Sequence, residues 1–158
     1  MFSGRYAHNI DSKGRVSFPA RFREVLGDIG DDRIVLTNHI DHRLCCLDAW
    51  PVSTWQRVLK RARRLPRFQK ETIYYHRWVV SSAVECPVDG TGRILVPAYY
   101  RKQARMEKEI LWSGVGENLE LWAAQEWEHH IQTLCETSEL DLNALNPIFE
   151  DEPGPSED

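Results

Sequence analysis

The sequence has no apolar run that approaches the roughly 20 residues of a membrane-spanning helix, and residues 1–5 lack the apolar segment of a secretion signal. Its four cysteines include no Cys-x-x-Cys pair and are too few for a disulfide framework, which argues against a zinc site or a disulfide-stapled fold. We therefore expect a soluble, cytoplasmic protein whose thiols are reduced.

A catalytic constellation is also missing. Two histidines and a carboxylate lie close together in residues 39–42, so a metal-dependent enzyme centred on His39 and His42 is a minor alternative, but no nucleophile has an evident general base. The glycine-containing fragments 90–92 and 114–116 lack the lysine and the full spacing of a phosphate-binding loop. We expect no enzymatic activity, no cofactor, no bound metal and no small-molecule substrate.

Two segments lack charge of one sign. Residues 57–70 hold seven Lys or Arg and no acid, whereas residues 136–158 hold eight acids and no base. Residues 1–80 carry a net charge of +7 and residues 81–158 carry −11, against −4 for the whole chain. The basic segment fits a solvated helix face or a surface that contacts phosphate, and the composition favours neither.

What the sequence does contain is an internal repeat. Residues 10–20 read IDSKGRVSFPA, and residues 88–98, 78 positions later, read VDGTGRILVPA. An Asp and a Gly around two small or polar residues favour a tight turn, and the Pro favours the start of a helix. Each copy therefore predicts strand, turn, strand and helix, with an arginine just past the turn.

The repeat extends through the remaining elements. Aligning residues 35–47 with 110–122 at an offset of 75 places residues 48–50 in a lengthened turn before the next helix. Hydrophobic spacing predicts strands at 5–10, 15–18, 33–37, 44–47, 83–88, 110–112 and 119–122, and helices from Pro19 to Gly27, from near Pro51, over 69–80 and through Trp127.

The two turn arginines, Arg15 and Arg93, have two interpretations. Each can form an ion pair across its turn, with Asp11 and Asp89 respectively. Each can instead reach a phosphate or the O6/N7 edge of guanine, since a two-stranded ribbon is narrow enough for the major groove of DNA. The chemistry of the residues leaves both interpretations open.

The motifs resemble one known family. Residues 1–4 (MFSG), 11–23 (DSKGRVSFPARFR) and 85–97 (ECPVDGTGRILVP) are similar, in this order and spacing, to the MraZ family of bacterial transcriptional regulators. The likeness covers about residues 1–135. It implies an α+β fold in which two tandem AbrB-like swapped-hairpin modules form an intertwined pseudo-dimer with flanking helices. The prolines and acids after residue 138 predict, by composition, a disordered acidic tail.

The resemblance and the composition together predict a division of the chain. The expected units are module 1 at 5–52, a basic helical linker at 53–80, module 2 at 81–125, a C-terminal helix at 126–137 and the acidic tail at 138–158.

By the same resemblance, the chain is a nucleoid-associated regulator that binds double-stranded promoter DNA. We expect it to repress the division and cell-wall gene cluster from tandem repeats upstream of its own gene, and to assemble with itself as an octamer-like ring without membrane contact. The matching positions nominate Lys13, Arg15 and Arg93 as DNA contacts, with Asp11, Gly14, Asp89 and Gly92 shaping the loops. Charge and proximity add four weaker candidates, Arg5, Arg21, Arg23 and Arg101.

Two departures from the pattern matter. Thr91 stands where the first copy has Lys13, so the second loop is expected to bind phosphate less strongly. The acidic tail lies outside the likeness, and it supports an alternative function as an AbrB-like antitoxin or protein-interaction module whose tail binds the partner.

Overall fold

The computed structural model describes residues 1–137 and 139–149, and within them it confirms the predicted α+β class. The strands are β1 (Phe2–Asn9), β2 (Arg15–Ser17), β3 (Arg33–Asn38), β4 (Cys46–Pro51), β5 (Val84–Pro87), β6 (Arg93–Leu95), β7 (Glu109–Gly116) and β8 (Leu119–Ala123). The helices are α1 (Ala20–Ile29), α2 (Val52–Ala62), α3 (Lys70–Trp78), α4 (Ala98–Gln103) and α5 (Ala124–Glu136). None of these helices is long and apolar enough to cross a membrane.

Six strands form one antiparallel sheet in the order β1-β7-β8-β4-β3-β5, and β2 pairs with β6 in a separate two-stranded ribbon. In the repeat, strands β1, β3 and β4 of the first half correspond to β5, β7 and β8 of the second. Exchanging each strand for its counterpart gives the same strand order, read from the opposite edge of the large sheet. The two strands around the first turn share a single bridge, Ile10 to Val16, and otherwise pair with strands of the other half. The halves are therefore interleaved rather than placed side by side.

The two faces of the large sheet bury different partners. Ile34 and Leu36 point to one face and join the main core together with Val16 and Ile94 of the ribbon. Val35 points to the other face, because side chains alternate along a strand, and packs against Trp55 of α2 and the segment after α3. The sheet thus lies between the ribbon and helix α2.

Prolines set three helix starts, as the sequence predicts. Helices α1, α2 and α4 begin immediately after Pro19, Pro51 and Pro97, whose fixed φ suits the entry to a helix. The predicted end of α1 at Gly27 is wrong, since the helix continues to Ile29. Its cap is Gly30, which has φ 86° and donates its N–H to the last carbonyls of the helix.

The predicted alignment of residues 35–47 with residues 110–122, at an offset of 75, is also wrong for the strand that precedes the next helix. Asp48, Ala49 and Trp50 lie within strand β4 and do not lengthen a turn. Aligning the ends of β4 and β8 gives an offset of 72, which matches Trp50 with Trp122 and Trp55 with Trp127. Both tryptophan pairs are in contact, with ring centroids 6.0 Å and 5.5 Å apart, although the first pair is tilted at 43° and the second is edge-to-face at 75°.

Part of the predicted acidic tail is described. Leu142–Ile148 forms a short 3-10 helix with exposed side chains, opened by Asp141, whose carboxylate accepts a hydrogen bond from the N–H of Asn143. The prediction of disorder for position 138 and positions 150–158 lies outside the described residues.

Candidate nucleic-acid interface

Asp11 organises the first loop. Its Oδ1 accepts the backbone N–H groups of Lys13 and Arg15, both at 2.9 Å, and its Oδ2 accepts Nε of Arg15 at 2.7 Å. The backbone closes the turn from Gly14 N–H to the carbonyl of Asp11 at 3.0 Å, with Gly14 at φ 85°. One carboxylate therefore fixes both the loop backbone and the direction of the arginine side chain.

Asp89 repeats this arrangement in the second loop. Its Oδ1 accepts the N–H groups of Thr91 and Arg93 at 2.9 Å each, and its Oδ2 accepts Nε of Arg93 at 3.3 Å. The Thr91 hydroxyl also donates to Oδ1, at 2.8 Å. The residue that replaces the lysine of the first copy thus turns back into its own loop.

Both carboxylates are held in the charged form. The backbone hydrogen bond from Arg15 is the largest cause that lowers the pKa of Asp11 from 3.8 to about 2, and the Arg15 guanidinium adds to it. The corresponding hydrogen bond from Arg93, together with the Thr91 hydroxyl, lowers the pKa of Asp89 to about 2. The loops keep these contacts throughout the neutral range.

The ribbon brings the two arginines to one surface. Strands β2 and β6 pair Arg15 with Leu95 and Ser17 with Arg93, so these four side chains share one face. The opposite face carries Val16 and Ile94, which are completely buried, and burial of each contributes about 1.5–3 kcal/mol. Arg15 and Arg93 are diagonal neighbours on the outer face, with 36% and 34% of their side-chain surfaces exposed.

Hydrogen bonds extend the ribbon into both loops. The N–H of Phe18 donates to the carbonyl of Gly92 at 2.8 Å, and the N–H of Val96 donates to the carbonyl of Gly14 at 2.9 Å. Each loop is therefore fixed to the strand of the other half, and the two loops form one surface.

Arg23 and Arg101 reach across the same junction. Arg23 donates to the carbonyl of Phe18 at 2.6 Å and lies against Gly92 of the second loop. Arg101 lies against Gly14 of the first loop, and its Nε is buried without a hydrogen-bond partner among the described residues. Both are weaker sequence candidates for DNA contact, and each lies against the loop of the other half of the chain. The offset of 78, which relates the two turns, also relates these two arginines, and this is the signal in the sequence that could have paired them.

The remaining sequence candidates are scattered. Lys13 is exposed at the tip of the first loop. Arg21 is exposed on α1 and forms an ion pair with Glu24 at 2.9 Å. Arg5 is on strand β1 and places its guanidinium 5.5 Å from the ring centre of Trp127, a cation–π contact with helix α5 on the side of the sheet away from the ribbon.

The basic segment 57–70 does not join this surface. It comprises the later part of α2 and the connection to α3, and α2 packs on the sheet face opposite the ribbon. The large sheet therefore lies between α2, which carries the first part of this segment, and the two loops of the ribbon.

The histidines of the 39–42 segment do not come together. His42 Nδ1 lies 3.2 Å from the Tyr74 hydroxyl, while His39 Nδ1 lies 3.0 Å from Asp48 Oδ1. The hydrogen bond with Asp48 raises the pKa of His39. Within the described residues, the group of possible metal ligands that contains His39 does not include His42.

The cysteines are free thiols, as expected for a chain without a disulfide framework. Burial raises the pKa of Cys86 to about 11 and raises the pKa of Cys46 further. These two thiols are packed core groups and not nucleophiles.

The chain matches the family model described as "MraZ protein, putative antitoxin-like" over residues 1–77 and 79–144. Three relatives named "Transcriptional regulator MraZ" show the extent of the likeness. The protein of Pelotomaculum thermopropionicum is 42% identical over 82% of this chain and 85% of its own length. That of Caldanaerobacter subterraneus subsp. tengcongensis is 38% identical over 82% and 86%. That of Halothermothrix orenii is 37% identical over 94% and 99%.

These names are those of regulators and not of enzymes, which confirms the expectation of a non-catalytic protein. The motifs that carried the resemblance, residues 11–23 and 85–97, form the two loops, the ribbon and the helix starts described above. The chain belongs to the MraZ family.

Proposed function

We propose that this protein is a transcriptional regulator that binds double-stranded promoter DNA through the outer face of the β2–β6 ribbon and its two loops. The observation that carries the proposal is the placement of Arg15 and Arg93 as diagonal neighbours on one exposed face, supported from below by a fully buried core. A two-stranded ribbon fits the major groove, where arginine is the usual reader of guanine. The names of the relatives support the same function.

The ion pairs of the two arginines are compatible with DNA binding. Of the guanidinium nitrogens, Asp11 and Asp89 accept only Nε, so within the described residues the terminal amino groups of Arg15 and Arg93 have no hydrogen-bond partner. Those two groups are the ones that bind guanine O6 and N7 in a bidentate contact. The aspartates orient the arginines, and the two terminal amino groups of each arginine contact the DNA.

The first loop carries more of the binding than the second. Lys13 adds an exposed ammonium group beside Arg15, whereas Thr91 bonds Asp89 and adds no charge. We assign Lys13 to a phosphate contact and Arg15 and Arg93 to base or phosphate contacts. Arg23 and Arg101 position the loops, and Arg5 and Arg21 have no direct role.

The assembly proposed here has two levels. Within one chain, the reversal symmetry of the sheet order supports two swapped-hairpin modules that form an intertwined pseudo-dimer. Between chains, a ring of subunits would present several ribbons to tandem repeats upstream of the division and cell-wall genes, where the protein acts as a repressor at the nucleoid. Linked ribbons bind at high effective concentration, which compensates for the few contacts that each one makes.

A gel-shift titration with the upstream DNA of the chain's own gene tests the interface. Replacing Arg15 with Ala should weaken binding by about 10- to 100-fold, because a good bidentate contact contributes about 1–3 kcal/mol. Arg21→Ala is the matched control, since it removes an exposed arginine that is paired on α1. Arg93→Ala should have the smaller effect of the two loop variants. Size-exclusion chromatography with light scattering should give the same oligomer for all variants, and unchanged affinity of Arg15→Ala would refute its role as a contact.

The family description also names an antitoxin, which favours one alternative function. In that case the acidic segment after residue 136 binds a small basic partner. Copurification of a small toxin with the full chain, abolished when residues 139–158 are removed, would support this function, whereas sequence-specific binding by the truncated chain would support the DNA-binding function.

A further inference from the structure

The two central strands of the sheet place acidic side chains directly opposite each other. Asp48 of β4 is paired in register with Glu120 of β8, so the two carboxylates share the sheet face that also carries α2 and α5. Only 8% of the Asp48 side chain is exposed. Like charges opposite each other on a sheet are destabilising, and a buried carboxylate requires a compensating cation. This position therefore calls for a cation between the strands.

His39 completes the group. Its Nδ1 lies 3.0 Å from Asp48 Oδ1, and one donor atom each from His39, Asp48 and Glu120 lie within 4.8 Å of one another. Within residues 1–137 and 139–149 this is the only cluster with such metal-ligand spacing. Asp48 Oδ2 accepts no hydrogen bond from that part of the chain and keeps some contact with solvent, since Arg101 Nε is the only fully buried side-chain polar atom there without a partner. Trp122 orients the Glu120 side chain, because its Nε1 donates a hydrogen bond to Oε2 of Glu120 at 2.9 Å.

The spacing suits coordination by one ion. In the tetrahedral geometry usual for zinc, ligand atoms about 2.0–2.1 Å from the ion are about 3.3–3.4 Å apart. His39 Nδ1 and Asp48 Oδ1, which are 3.0 Å apart in their hydrogen bond, would therefore move apart slightly to share one ion. One imidazole and two carboxylates are a donor set for zinc or manganese, and a fourth position remains for water. Glu120 is only partly buried, so an ion can enter from its side.

We propose that His39, Asp48 and Glu120 bind a divalent first-row transition metal ion. His39 and Asp48 belong to the first half of the chain and Glu120 to the second, so the ion ties the two halves together at the centre of the sheet. The site lies on the face away from the ribbon and is independent of the proposed DNA contacts.

Isothermal titration of the tag-free full chain, stripped with chelator and titrated with zinc or manganese chloride, tests the site. We expect one equivalent of at least one of the two ions per chain. Glu120→Gln and His39→Ala should each lower its affinity by more than about tenfold, the lower limit seen on loss of an outer-sphere partner. His42→Ala is the matched control, because this histidine is three residues from His39 and contacts Tyr74 instead of the cluster.

Thermal melting gives a second measurement. The bound ion should raise the melting temperature of the natural chain and of His42→Ala, but not that of Glu120→Gln. Glu120→Gln keeps the size of the side chain and is partly exposed, so it decides the question even if His39→Ala fails to fold. Absence of stoichiometric binding of either ion, or binding that Glu120→Gln leaves unchanged, would overturn the proposal.

Discussion

Asp11 and Asp89 show how a single carboxylate can build a loop and orient a charged side chain. Each accepts backbone N–H groups through one oxygen and the arginine Nε through the other. The sequence identified these aspartates as loop-shaping residues and left the arginines between an ion pair and a DNA contact. The geometry makes the two interpretations compatible, because the carboxylate binds Nε and leaves the terminal amino groups of the arginine free. A pattern of residue types cannot show which guanidinium nitrogen a carboxylate binds.

At this scale, the aspartate titrations test the geometry of the loops. We expect carbon-detected NMR to find that both carboxyl groups titrate near pH 2 and not near 3.8. Because the folded pKa is lowered, the stabilisation is fully present above pH 3.8 and disappears as the pH falls through about 2. In Arg15→Ala the pKa of Asp11 should rise but stay below 3.8, since the backbone N–H of residue 15 is the largest cause and remains.

Asp89 in the same Arg15→Ala sample serves as the internal control, and its titration should not change. A normal pKa for Asp11 in this variant would show that the turn depends on the guanidinium, and weaker DNA binding by Arg15→Ala could then not be assigned to the arginine side chain touching DNA.

At the scale of elements, the sequence predicted helix starts better than strand partners. Pro19, Pro51 and Pro97 act locally, so the residue pattern reveals them. The end of α1 was missed because Gly27 and Gly30 are both plausible stops, and only the backbone distinguishes them: Gly30 has φ 86°, while Gly27 continues the helix. The alignment of β4 failed because the register of a strand is set by its distant partner, here β8.

Glycine substitutions measure how closely the two halves approach. Gly14 and Gly30 have nearly equal φ angles, 85° and 86°, but an added methyl group would lie 2.9 Å from the Val96 carbonyl at Gly14 and meets nothing at Gly30. Gly30→Ala should cost about 1–2 kcal/mol of stability from the left-handed backbone alone. Gly14→Ala should cost about 1–3 kcal/mol more from overpacking. Urea unfolding at a common pH measures both.

The difference between the two variants isolates the packing between halves, because the backbone cost cancels. Equal destabilisation would mean that the first loop and strand β6 separate easily, and the interlocked pairing of Phe18 with Gly92 and of Val96 with Gly14 would then contribute little to the fold.

At the scale of the whole molecule, the repeat predicted two similar halves but not how they interleave. Strand pairing across more than 70 residues leaves no local signal, so the reversed order of the sheet and the joint ribbon were accessible only through the family resemblance. The side of the sheet on which the basic segment 57–70 lies could not be predicted, for the same reason. The sequence shows its charge, but its location follows from α2, which packs against Val35 on the sheet face away from the ribbon. The opposition of Asp48 and Glu120 likewise follows from register and from no motif.

The separation of the two basic surfaces predicts how DNA affinity depends on salt. Each neutralised phosphate contributes about 0.9 to the slope of log K against log salt, so Lys13→Ala should reduce the slope by that amount for each phosphate that this lysine neutralises. Arg61→Ala combined with Arg64→Ala removes two exposed charges from the region of α2 on the opposite face, and it should leave the slope unchanged. Fluorescence anisotropy titrations between about 50 and 200 mM salt compare these two variants with the natural chain. A smaller slope for the double variant would show that DNA also contacts the far face, and the sheet would then not divide the molecule into a DNA-binding side and a second, independent side.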